Sequence, residues 1–416
     1  MKRFSYQDNS KQLSTFAVCA SGLEESLFNE LKQNQSIKFP NKLSGGVFFK
    51  TTAIEICRLN LWSSMPSRIL IQVGKTQVKT ANELLEFACR IDWQEWFNPS
   101  NSFKVDVNSS GRMPESISAN FAALKFKDGI CDYFRKKFYG IRPNVDKKTP
   151  DIRIWLHFVN SLVTVSIDSS GEPLFKRGWR KSRGIAPIRE NLVSALIAMS
   201  KWDHKLPLLD PMCGSGTFVI EAVKKATGIP ANYLPENQRK FSCELFSNDS
   251  PFSNVNWQIL REEALEAWVN SEKKSKNLPF LTGIDADINM IQNAELNAKL
   301  ALPKKISNMI SWEVGEFAVN NYINRQIPSK GVILTNPPFG LRIELDDDLK
   351  TKLIQQMGSV LKKNFSGWTA WILTNEKNFS SKIRLKPNNK FSVFNGDISC
   401  IWLSFEIVKG SIKKND

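Results

Sequence analysis

Asn336-Pro337-Pro338-Phe339 follows the apolar run Gly331-Val332-Ile333-Leu334-Thr335, and these four residues suit an exocyclic amine on an aromatic ring. The lone pair of such a nitrogen is delocalised into the base. It attacks an electrophilic methyl only if both N–H protons are accepted and the nitrogen is drawn toward tetrahedral geometry. The Asn336 side-chain oxygen and the Pro337 carbonyl can be the two acceptors, the prolines stiffen the backbone that presents them, and Phe339 offers a face for the base to stack on. A strand followed by a tight turn would read the same way, because short motifs recur by accident. A second motif decides between the two.

That motif is Leu208-Leu209-Asp210-Pro211-Met212-Cys213-Gly214-Ser215-Gly216-Thr217-Phe218. A short apolar strand ends at Asp210, a glycine loop turns, and a helix starts near Thr217. Gly214 and Gly216 let the backbone approach a ligand closely, and the helix start aims free N–H groups at a carboxylate or phosphate. A nicotinamide site would carry a third glycine and an acid about 20 residues on. Here Val219 takes the glycine's place, and the obvious acid, Asp285, lies far beyond that distance. The departure favours S-adenosylmethionine: Asp210 for its ammonium group, the loop Cys213-Gly214-Ser215-Gly216-Thr217 for its methionine portion, and Asp285 for its ribose hydroxyls. Within the loop Cys213 reads as a small packing residue rather than a nucleophile. Asp285 follows the apolar strand Phe280-Leu281-Thr282-Gly283-Ile284, and Asp287 caps the next helix. A third strand, Ile310 to Glu316, would place Glu316 to accept the adenine amino group.

These residues need a sheet to hold them on one edge. From Leu206 onward strand and helix alternate, which predicts a doubly wound, largely parallel sheet. It ends differently: Asn395-Gly396 lies between two strand-like runs in Lys390 to Phe405, the strongest local signal for an antiparallel hairpin. A helix starting at Pro187 and carrying Glu190, Leu192, Ala195 and Leu196 precedes the glycine-loop strand and is expected to cover one side of the pocket. Residues 227–279, rich in polar side chains, read as an insertion before the Asp285 strand. The expected divisions are 1–45, a strand-helix-strand region; 46–167, a mixed region with a hairpin across Asn160; 168–183, a basic linker; and 184–416, the parallel-sheet domain.

The 416 residues carry 57 Lys and Arg against 41 Asp and Glu, a formal charge of +16. Such an excess points to a polyanionic partner, nucleic acid ahead of an acidic membrane surface. Two segments concentrate it. The linker holds Lys176, Arg177, Trp179, Arg180 and Arg183, an arginine-aromatic mixture suited to phosphate contact and base stacking on single-stranded RNA. A basic helix over 118–138 carries Lys125, Lys127, Arg135, Lys136 and Lys137, either as a solvated face or as a phosphate-contacting one. No apolar run approaches the roughly 20 residues that span a bilayer, and the N-terminus lacks a signal-peptide core, so a cytoplasmic protein without a membrane partner is expected. Seven scattered cysteines with no CxxC pair suggest neither a zinc site nor a disulfide framework. With only His157 and His204, serine-triad and multi-histidine metal chemistries lack material, and no metal is expected.

The spread of motifs resembles the THUMP-domain RNA methyltransferases, most closely those that methylate guanine N2 in bacterial 23S ribosomal RNA. Its marks are Ala20-Ser21-Gly22-Leu23-Glu24, Asn60-Leu61-Trp62, Ser67-Arg68-Ile69-Leu70, Arg177-Gly178-Trp179-Arg180, Ala186-Pro187, Glu190-Asn191-Leu192, the Asp210 loop, Asn336-Pro337-Pro338-Phe339-Gly340 and Phe394-Asn395-Gly396. The resemblance covers nearly the whole chain. It implies a ferredoxin-like region, a THUMP module that captures structured RNA, and a single class I, Rossmann-like α/β methyltransferase domain. The implied reaction moves a methyl from S-adenosylmethionine to a guanine N2, with Asn336 and Pro337 orienting the amine and Phe339 stacking. Adenine-N6 methylation of RNA or DNA is the nearest rival, and a noncatalytic RNA-binding assembly factor is the rival from another class. A thiolation enzyme would need a nucleotide-activating loop and a sulfur-carrying cysteine arrangement, neither of which is found.

Overall fold

The computed structural model describes residues 11–181, 188–317, 327–338 and 347–408. The chain forms two compact units. The first takes residues up to Cys19, Phe28–Leu174 and Arg239–Arg261; the second takes Ala20–Leu27, Phe175–Gln238 and Glu262 onward.

The first unit is built on strands β1 (Leu13–Val18), β2 (Lys38–Leu43), β3 (Gly46–Thr51), β4 (Arg68–Gln77), β5 (Ser102–Ser110), β6 (Asn144–Val145), β7 (Ile152–Val159) and β8 (Leu162–Asp168). They lie in one sheet in the order β2-β3-β1-β4-β8-β7-β5-β6. Alternating burial along β1 and β7 shows why these segments are strands: period-two apolar residues put one face on a core. β4 joins the two halves, pairing with β1 through Arg68–Ile71 and with β8 through Leu70–Gln77. Residue 45 is therefore not a division, contrary to the expected boundary. β3 pairs with β1 from Leu13↔Thr51 to Val18↔Gly46, and residue 45 lies in the hairpin turn between β2 and β3, with Gly45 at φ +78°.

The hairpin across Asn160 forms as expected, with Asn160 at φ +55°. The basic helix spans Ala119–Lys137, capped by the Ser118 hydroxyl, which accepts from the Phe121 amide at 3.3 Å. It buries Ala122, Phe126, Ile130 and Phe134, leaving Arg135, Lys136 and Lys137 exposed and Lys125 and Lys127 half-buried. The 227–279 stretch is not one insertion, contrary to expectation. Residues Arg239–Arg261 belong to the first unit, where the Cys243 amide donates to the Ser169 carbonyl at 3.1 Å and the Ser247 amide to the Trp96 carbonyl at 2.8 Å. Phe246 packs edge-on against Trp96, so this polar-looking segment has an apolar side that composition concealed.

The second unit contains β9 (Leu208–Asp210), β10 (Leu281–Asp285), β11 (Ile310–Val314), β12 (Val332–Thr335), β13 (Thr369–Thr374), β14 (Asn389–Asn395) and β15 (Ile398–Glu406). Their order is β11-β10-β9-β12-β13-β15-β14. The first five pair in parallel, and β15 runs antiparallel to both β13 and β14. Short runs such as Val332–Thr335 are buried throughout, as parallel strands covered on both faces must be. Gly396, at φ +67°, makes the hairpin turn that Asn395-Gly396 predicts. One sheet face carries a core of Leu209, Ile333, Ile354, Leu361, Ile372 and Phe405. The strand order reverses at β9, with β10 on one side and β12 on the other. In open α/β sheets the crevice at that point receives ligands, beyond the carboxyl ends of the strands.

Candidate active site

Asp210 is the last residue of β9 and is 1 % exposed. Its Oδ1 accepts from the Met212 amide at 3.3 Å. Burial pushes the carboxyl up to about 7; the Thr335 hydroxyl and the Met212 amide pull it down, and nearby Asp285 pushes it further up. No cation among the described residues offsets this burial. A carboxyl removed from water without a counter-charge resists ionisation, so the position suits a ligand that brings a positive charge. The loop beyond it is held at Cys213, whose amide donates to the Ile284 carbonyl at 2.8 Å. Gly214 and Gly216 adopt φ +51° and +83°. A side chain on Gly214 would meet nothing within 4 Å, so open space lies before the backbone there. Gly216 caps the helix Thr217–Thr227, whose first amides, as in any helix, have no intrahelical partner. Cys213 is buried, and burial with Asp210 and Asp285 nearby drives its thiol well above the usual range, which agrees with a packing role.

Asp285 ends β10, next to β9. Its Oδ2 accepts from the Gly214 amide at 2.9 Å and its Oδ1 from the Asp287 amide at 3.0 Å, so the carboxylate ties the glycine loop to its own strand. Each oxygen keeps a second lone pair for a hydroxyl. Asp287 caps the helix Ile288–Ala301 as predicted, accepting from the Asn289 amide at 2.8 Å. Glu316 lies two residues past β11, exposed. Trp312, in β11, was not singled out by sequence: its ring would stand 2.7 Å from a side-chain carbon on Gly216 and 2.4 Å from one on Gly283. Those two glycines, one in the loop and one in β10, were the available signal.

Asn336 and Pro337 follow β12 directly, Asn336 half-buried and Pro337 buried. β12 pairs with β9 in the register Val332↔Leu208 and Ile333↔Leu209, so Asn336 leaves the same sheet edge as Asp210 and Asp285. Phe339 lies outside the described residues, as do Pro187 and Arg183.

The RNA-contacting role expected of Arg177, Trp179 and Arg180 is corrected. Arg177 is buried, pairing with Glu221 at 3.6 Å and donating to the Asn232 side-chain oxygen at 2.8 Å. Trp179 is 1 % exposed and has no face free for a base. The Arg180 side chain is 9 % exposed and pairs with Glu190 at 2.8 Å. Lys176 alone among the described residues of that set is exposed. A buried cation is retained only when paired, and Glu190 and Glu221 supply those pairs from the helices Glu190–Met199 and Thr217–Thr227.

Residues 177–404 match the family model described as the RMKL-like methyltransferase domain, residues 78–168 match the THUMP domain, and residues 14–70 match the RlmL ferredoxin-like domain. The chain belongs to the RMKL-like methyltransferases. Its relatives include the Synechocystis sp. protein named "Putative RNA methyltransferase slr0064", 33% identical over 94% of this chain and 96% of its own. Among solved structures, SMU.472, crystallised as a complex with SAH, is 25% identical with a TM-score of 0.78 over 96% of this chain and 100% of its own. A Listeria monocytogenes structure carrying the name "predicted N6-adenine-specific DNA methylase" is 25% identical with a TM-score of 0.79 over 95% and 97%. This RMKL-like methyltransferase thus joins ferredoxin-like, THUMP and Rossmann-like parts, and S-adenosylmethionine is its cofactor. The site's residues fit that group: an uncompensated buried carboxyl at Asp210, an open glycine loop, and a strand-end acid at Asp285.

Proposed function

We propose that this RNA methyltransferase transfers a methyl group to the N2 amine of a guanine in large-subunit ribosomal RNA. When bound, S-adenosylmethionine supplies an electrophilic methyl on a good leaving group. The rest falls to the chain. Asp210 holds the ammonium, Gly214 to Thr217 hold the methionine portion, Asp285 holds the ribose, and Glu316 accepts from adenine. Asn336 and Pro337 accept the two N–H protons of the guanine amine and draw its lone pair out of the ring, and Phe339 stacks on the base. Base-modifying enzymes must first take the target out of its stack; the THUMP part and the basic helix Ala119–Lys137 hold the RNA while that happens. No strong base is required, because the amine turns acidic only as the C–N bond forms, and its proton leaves to the motif or to water.

The observation that carries this reading is the common sheet edge from which Asp210, Asp285 and Asn336 emerge, with β9 between β10 and β12. The RlmL-type N-terminal match favours ribosomal RNA. The name of the Listeria relative favours adenine N6 instead. Nucleoside mass spectrometry of ribosomal RNA from cells with and without the gene separates them. Loss of N2-methylguanosine from 23S RNA on deletion, restored by the wild-type gene but not by Asn336→Ala, is the expected result. Loss of N6-methyladenosine alone would overturn the guanine assignment.

A further inference from the structure

Arg180 makes more polar contacts with the glycine loop than the reaction above uses. Its Nε donates to Glu190 at 2.8 Å, its Nη2 to the Thr217 hydroxyl at 2.8 Å and the Ile188 carbonyl at 3.2 Å, and its Nη1 to the Ser215 hydroxyl at 3.1 Å. The guanidinium carbon lies 5.2 Å from the centre of the Trp179 ring. Ser215 and Thr217 flank Gly216, the residue that caps the helix. The backbone between these contacts is fixed from the other side by Asn297, which is buried. Its amide nitrogen donates to the Ser215 carbonyl at 3.1 Å and its oxygen accepts from the Lys181 amide at 3.4 Å.

Arginine has donors only. Both hydroxyl oxygens must therefore accept from it, and the proton of each hydroxyl is left to point elsewhere. Two hydroxyl donors then stand at the helix start, backed by the Arg180–Glu190 ion pair. An anionic terminus meets donors and the positive end of the helix Thr217–Thr227 there; a neutral one gains little.

We propose that Arg180 is a positioning residue that turns Ser215 and Thr217 into donors for the methionine carboxylate, making the loop selective for a ligand with an anionic terminus. This rests on the reading of the loop as the methionine subsite. The test is calorimetry on the full chain with two probes: S-adenosylhomocysteine, which has the carboxylate, and 5′-methylthioadenosine, which lacks the amino-acid end. Arg180→Lys and Arg180→Gln should each weaken S-adenosylhomocysteine by about tenfold or more, the effect of losing charge-assisted hydrogen bonds, while 5′-methylthioadenosine affinity is unchanged. The pair Ser215→Ala with Thr217→Val, which leaves the buried charges alone, should give the same selective loss and should add little on top of Arg180→Lys.

Equal weakening of both probes would reduce Arg180 to a structural support and overturn the proposal, as would an unchanged affinity for S-adenosylhomocysteine. Should the arginine variants fail to fold, the hydroxyl pair decides alone. A wild-type chain that binds 5′-methylthioadenosine as tightly as S-adenosylhomocysteine would sink the subsite reading itself.

Discussion

Asn336 and Asp210 do different work, and substitution should separate them. Asn336→Ala removes one acceptor of the target amine and leaves the residues assigned to the cofactor in place. Methyl transfer should fall by at least about a hundredfold, the usual effect of losing one oriented hydrogen-bonding group at a reacting centre, while calorimetric cofactor affinity stays within about threefold. Comparable loss of both would place Asn336 in the cofactor pocket. For Asp210 the readout is pH. Its carboxyl, pushed up to about 7 in the free protein, must ionise to pair with an ammonium. Cofactor affinity should therefore weaken from pH 7 to pH 5, approaching about tenfold per unit, and Asp210→Asn should bind weakly with no such slope. Stability of the free protein runs the other way. A folded value above the ordinary 3.8 means that the native state holds this proton more tightly than the unfolded one. The stabilisation is full below 3.8 and is lost as pH rises through about 7. A cofactor slope identical in wild type and Asp210→Asn would remove Asp210 from the site.

At the scale of elements, the turn from β9 into the helix Thr217–Thr227 has little freedom. Gly216 combines φ +83° with a Trp312 ring carbon 2.7 Å and an Ala294 Cβ 3.1 Å from where a side chain would begin. Gly216→Ala should cost about 1–3 kcal/mol through backbone strain alone, read as a lower Tm and weaker cofactor binding. Adding Trp312→Ala should recover only part, because it opens space without changing φ. Full recovery would mean that crowding, not conformation, sets the requirement for glycine. This turn was legible beforehand because every step is local: an apolar strand, two glycines, a helix start. The Asn395-Gly396 hairpin and the Asp287 cap were legible for the same reason. The 177–180 segment was not. A string of cations and a tryptophan reads alike whether it faces solvent or folds inward. Its neutralising partners, Glu190 and Glu221, are identifiable only once the helices carrying them are in place. Trp312 was hidden likewise, since the glycines it covers lie on other elements.

For the whole molecule, the formal charge of +16 spoke to partners and left the fold undetermined, and although the cut after Leu174 falls inside the expected linker 168–183, the exchange of segments between the units was beyond local patterns. Neither unit is a continuous stretch: Arg239–Arg261 completes the first, and Ala20–Leu27 belongs to the second. A fragment of residues 177–416, cut where the methyltransferase match begins, would carry Phe241, Phe246 and Phe252, buried in the full chain, without Trp96 and Ser169. It should bind an apolar dye more strongly than the full chain and melt lower. Replacing 239–261 in that fragment with a short polar linker should reverse the dye binding. Equal dye binding by fragment and full chain would show that 239–261 needs no partners from the first unit.

The same interleaving bears on synthesis. Because the first unit takes its final segment from Arg239–Arg261, a ribosome that has just finished β8 has released a sheet still short of part of its own core. That core can close only after β9 and the glycine loop have also left the tunnel. The amino-terminal half must therefore wait for the carboxyl-terminal half to begin, so a pause or premature stop before residue 261 would leave the earlier-made sheet, not only the later one, open to aggregation.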